Sequence, residues 1–115
     1  MPRKHTDLAV PTAGPTVSAT LTLAPNEFLV GIQVAATFDG TSLTVTGNSD
    51  GSSTLVPVKD AFGNAVTITI ADDTANFYYL AKEPFLGLTR VAFTSNAAQA
   101  AGGGETLRAT TWIDD

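Results

Sequence analysis

The chain has no cysteine and only one histidine, one tryptophan and one methionine among its 115 residues. Without cysteine there is no disulfide, no thiol nucleophile and no thiolate zinc or iron–sulfur site, and nothing to read about redox compartment. Positive charge is also scarce: six Lys and Arg stand against eleven Asp and Glu, a net charge of −5. That balance argues against nucleic acid as a partner. No apolar run approaches the ~20 residues that cross a bilayer. Met1–Pro15 is broken by charges and by Pro2, Pro11 and Pro15 where a signal peptide would carry its apolar region. The expectation is a protein made in the cytoplasm, with no membrane partner.

Period-two alternation is what the chain has in quantity. In Thr16–Ala24, Val17, Ala19, Leu21 and Leu23 fall on one face. Phe28–Ala36 sets Phe28, Val30, Ile32 and Val34 against Leu29, Gly31 and Gln33, and Gly31 signals a bulge or a close backbone approach. Asp39-Gly40 reads as a hairpin-type turn into Ser42–Gly47. Asn48-Ser49-Asp50-Gly51 and Asp60–Asn64 are further turns, flanking Leu55–Val58, which Pro57 restricts to an edge. Strands follow at Val66–Ile70, Asn76–Leu80, Leu88–Thr94 and Thr106–Ile113, with a single helical or 3₁₀ turn at Lys82–Leu86 and a flexible loop through Gly102-Gly103-Gly104. About eight short strands and no amphipathic helix indicate an all-β fold, an antiparallel two-sheet sandwich. A jelly roll is the first expectation and an immunoglobulin-like sandwich the second. The length suits one domain, divided into an extended N-terminal arm over residues 1–15 and a sandwich over 16–115. The arm is either disordered or laid along a neighbouring subunit.

Groups able to do chemistry are few. His5 lies in the arm without a second group to hold its ring, which leaves it short of a triad or metal site. The carboxylates, Glu27 included, fall mostly in predicted turns, where a side-chain oxygen can bond the backbone two residues on. Asn48–Gly51 resembles a fragment of a calcium loop but lacks the repeated oxygen ligands and the distal glutamate. Asp72-Asp73 with Asp114-Asp115 would make a cation site only if the fold joined them. Phe77, Tyr78, Tyr79 and Trp112 suit the core better than a sugar-stacking platform, although alternation sends one of Tyr78 and Tyr79 outward. No catalytic, cofactor-binding or metal-binding residue is expected.

The runs Leu29-Val30-Gly31-Ile32, Gly40-Thr41-Ser42-Leu43-Thr44, Ser49-Asp50-Gly51 and Pro57-Val58-Lys59-Asp60, then Phe85–Val91 and the Ala-Ala-Gln-Ala segment after Ser95, carry a resemblance over residues 28–112. The chain resembles small β-rich structural proteins encoded beside the capsid genes of tailed bacteriophages. The resemblance implies a virion component: a head decoration (cement) protein that clamps neighbouring major capsid subunits, forms a dimer or trimer, and has no catalytic residues to carry over. On that reading the sandwich self-associates through flat Thr/Val-rich faces. Arg3, Lys4, His5, Leu8 and Val10 of the arm are the candidate partner-binding residues. A carbohydrate-binding sandwich of a fibre or spike, expected to show Tyr79 or Trp112 to solvent, and a tail or neck subunit are the alternatives.

Overall fold

The computed structural model describes residues 3–10, 17–71, 74–80, 85, 87–99 and 105–113. Nine strands lie within them: β1 (Arg3–Val10), β2 (Leu21–Thr22), β3 (Glu27–Val34), β4 (Ser42–Asn48), β5 (Val56–Pro57), β6 (Thr67–Thr69), β7 (Asn76–Tyr79), β8 (Arg90–Ser95) and β9 (Glu105–Ile113). Sheet A has the order β1-β9-β3-β7, and sheet B the order β2-β8-β4-β5, with β6 also on β4. The pairing is antiparallel and nested: β1 with β9, β2 with β8, β3 with β7, and β4 with β5 and β6. Such a chain is one long ribbon doubled back at β4–β5. Rolling the ribbon creates the two remaining contacts, β9 on β3 and β8 on β4. This is jelly-roll topology.

Between the sheets lies one apolar core. Leu8, Val10, Leu29, Ile32, Val34 and Leu107 enter it from sheet A, and Leu21, Leu43, Val45, Val91 and Phe93 from sheet B. Alternation puts them there: in β4 Leu43 and Val45 are buried, while Thr44 is exposed. Pro57 sits on an edge strand, where the missing N–H is tolerated.

Four local expectations are corrected. Arg3–Val10 is not a free arm: it is an edge strand paired along its whole length with β9, from Arg3 opposite Trp112 to Val10 opposite Glu105. Pro2 and Pro11 bound this strand and leave eight residues between them free to pair. Asp39-Gly40 is not a hairpin, because β3 and β4 belong to different sheets. It is a corner tied down by Gln99, whose Oε1 accepts from Asp39 N–H (2.9 Å) and whose Nε2 donates to Asp39 C=O (2.7 Å). The alternation of β3 breaks at a bulge between Leu29 and Gly31, so Leu29, not Val30, faces inward with Ile32 and Val34. Finally, the strand expected over Thr16–Ala24 narrows to β2 and a bridge from Val17 to Thr94. The turn at Lys82–Leu86 (apart from Phe85) and the triple-glycine loop lie outside the described residues.

Candidate functional site

Strand alternation divides the five candidate contact residues. Leu8 and Val10 point into the core, each 1% exposed. They are therefore not available to a partner. Lys4 is on the same side of β1 but at its exposed end, its side chain 52% exposed with Nζ 3.9 Å from Glu27 Oε2. Arg3 and His5 are exposed, on the opposite side, with Asp7 and Ala9. This places them on the outer face of sheet A.

The ladders build that face row by row. Arg3 lies opposite Trp112, and Trp112 opposite Phe28; His5 opposite Thr110, Thr110 opposite Gly31, and Gly31 opposite Tyr79. Asp7, Arg108, Gln33 and Phe77 make the next row. Three aromatic rings are thus displayed together, with Trp112 42%, Phe77 40% and Tyr79 83% exposed. Sequence reasoning assigned most of them to the core; only Tyr78 is turned inward, half-buried, its hydroxyl accepting from Ala71 N–H at 2.8 Å. The signal for Trp112 was present in β9, because Leu107 and Ala109 inside put the even-numbered positions on the outer face, where Thr110 is covered and Trp112 is not.

Gly31 shapes this face. A Cβ there would lie 2.5 Å from Phe77 Cζ and 2.7 Å from the Tyr78 carbonyl oxygen. The absent side chain lets the Phe77 ring lie across β3, where it meets Tyr79 edge-on at a centroid distance of 5.0 Å and an angle of 73°. Gly31→Ala is expected to lower stability by about 1–3 kcal/mol through overpacking, since a backbone oxygen cannot swing away as a ring can. Chemical denaturation measures it, and an unchanged midpoint would remove Gly31 from this role.

Polar contacts fix the other end of the face. Arg108 Nε donates to Asp7 Oδ1 at 3.0 Å, with both side chains more than half exposed, so the pair orients more than it stabilises. His5 Nδ1 is 3.0 Å from Thr110 Oγ1. A hydroxyl–imidazole pair begins a nucleophile–base constellation, but the backbone N–H groups beside it belong to the β1–β9 and β3–β9 ladders. The pair stands on a sheet face and holds the histidine against it. Asp7, Gln33, Ala35, Thr106 and Arg108 line a depression of about 260 Å³, below the usual span of enclosed small-molecule sites.

The remaining sequence candidates are structural. Asn48 organises its turn: Nδ2 donates to the Ser52 and Thr54 carbonyls at 2.8 and 2.9 Å, and Oδ1 accepts from Gly51 N–H at 3.2 Å. The Asp50 carboxyl is held below its ordinary 3.8 by the bond from Ser52 N–H. That bond favours folding above the ordinary value and is lost as acid protonates the group. Among the described residues, no three His, Asp or Glu side chains gather as a metal site. Asp72-Asp73 and Asp114-Asp115 lie outside those residues.

One further display escaped the sequence reading. In the turn after β5, Asp60 Oδ1 accepts from Phe62 N–H (2.8 Å) and Asn64 N–H (3.0 Å), and Gly63 takes the left-handed φ of +82°. The turn holds Phe62 up 89% exposed. No protein-family model, curated protein or solved structure matches the chain.

Proposed function

We propose that this chain is a non-enzymatic virion structural protein: a head decoration (cement) protein that lies on the capsid surface and bridges neighbouring major capsid subunits. The observation that supports the reading best is the outer face of sheet A. It joins three displayed aromatic rings to Arg3, His5, Asp7 and Arg108 on a four-stranded antiparallel support. Aromatic and arginine side chains are the usual anchors of protein interfaces, and an open sheet face matches a macromolecular surface better than a small ligand. The resemblance over residues 28–112 points to the same role. Arg3 and His5 replace the whole arm as contacts.

Pelleting with undecorated heads and, separately, with dissociated capsid subunits tests this. The chain is expected to pellet with heads alone. Trp112→Ala should weaken that binding by about 2 kcal/mol, roughly thirtyfold in Kd. Full occupancy by the variant, or equal binding to free subunits, would contradict the proposal.

A carbohydrate-binding sandwich is the second reading, and the exposure of Tyr79 and Trp112 favours it. It requires polysaccharide binding that Trp112→Ala abolishes, together with indifference to heads.

A further inference from the structure

The sheet edges are not equally protected. Edge strands avoid unwanted pairing through charge, proline or shortness. β1 carries Arg3, Lys4 and Asp7, β2 has two residues, β5 contains Pro57, and β6 has three residues. β7 has none of the chemical defences: Thr74–Leu80 contains neither charge nor proline.

The ladder shows which backbone groups β7 offers. Leu80 N–H donates to Val30 C=O at 2.9 Å, and Tyr78 lies opposite Ile32. Antiparallel alternation therefore points the N–H and C=O groups of residues 78 and 80 toward β3, and those of Phe77 and Tyr79 away from it. On that outward side no other strand pairs with β7 among the described residues.

We infer that β7 pairs antiparallel with β7 of a second copy across a two-fold axis through Tyr78. This register uses the outward groups of Phe77 and Tyr79 in both copies and places each Phe77 directly opposite the other copy's Tyr79. The edge-on pair already present in one chain becomes a cluster of four rings on the outer face of a continuous eight-stranded sheet. The pairing is isologous and closes, so β7 is no longer an open edge. Self-complementarity argues for a second copy in particular, because the two-fold register sets Phe77 against Tyr79 twice over. Two chains of net charge −5 repel in general, and β7 is an uncharged segment where they meet without a like-charge contact. On the outer face of sheet B the facing positions of β4 and β8 are Thr44, Thr46, Thr94, Ala92 and Arg90, none of them aromatic. The dimer does not depend on what the outer face binds.

Sedimentation equilibrium of the full chain across a micromolar range is expected to show a dimer. Tyr79→Lys removes two cross-strand aromatic pairs per dimer and should weaken association about tenfold or more, with the thermal midpoint of the monomer retained. The register is tested separately, because the chain has no cysteine of its own. Directly opposed residues in such a pair have Cα atoms about 5.5 Å apart, within disulfide reach, whereas like positions lie beyond about 7 Å. An equimolar mixture of Phe77→Cys and Tyr79→Cys chains should then form the mixed disulfide faster than either variant cross-links with itself. A monomeric wild type, a dimer untouched by Tyr79→Lys, or preferential cross-linking of like variants would each overturn the inference. So would a monomer whose β7 takes up an extended segment of another protein.

Discussion

Removal of residues 1–10 is expected to lower the midpoint of thermal unfolding by roughly 10–25 °C, or to abolish the cooperative transition. Leu8 and Val10 are each 1% exposed in the core. Burying two such side chains contributes about 3–6 kcal/mol, against a total of about 5–15 kcal/mol for a domain. The truncation also strips β9 of one of its two neighbouring strands from Glu105 to Trp112 and exposes the core side of Leu107. Arg3→Ala and His5→Ala, which only trim the exposed side of the same strand, should stay within about 2 °C of wild type. A truncated chain that melts like the full one would restore the free-arm picture.

Glu27 carries the second large effect. Its carboxylate is buried, the residue 6% exposed, accepting from Thr111 Oγ1 at 2.6 Å and from Ala24 N–H at 3.0 Å. The second bond closes the turn into β3, alongside Glu27 N–H to Ala24 C=O at 3.0 Å. Glu27→Ala deprives both donors of their acceptor, at a cost of about 1–3 kcal/mol for the fully buried Thr111 hydroxyl and about 0.5–1.5 kcal/mol for the N–H of the exposed Ala24. The expected loss is about 1.5–4.5 kcal/mol, read by chemical denaturation. Thr111→Val in the Glu27→Ala background should cost less than in the wild type, because the orphaned hydroxyl is then gone. Additive losses would mean that the two side chains do not act together.

The fold was legible where the strands run uninterrupted. Leu43 and Val45 in β4, and Leu107 and Ala109 in β9, alternate as the residues suggest, and Pro57 marked its own edge. Gly31 announced a bulge or a close approach, and both occur. The shift of face that the bulge imposes on Leu29 needed the partner strand to place it. The first strand was concealed by its flanking prolines, although Leu8 and Val10 two residues apart carried the alternation. Glu27 looked like a turn residue because Thr111, the group that buries it, is 84 positions away. The displayed face was only partly readable: alternation required one of Tyr78 and Tyr79 to point out. The expectation of a core position for Trp112 followed its bulk, where the alternation of Leu107 and Ala109 already set it outward.

Heat resistance of purified heads tests the central claim most directly, with the missing protein added back as wild type or as Trp112→Ala. Heads given the wild-type chain are expected to retain their contents at temperatures that open undecorated heads, and heads given the variant to behave as though nothing was added. Equal resistance of decorated and undecorated heads would contradict the account and turn the outer face of sheet A toward a carbohydrate ligand.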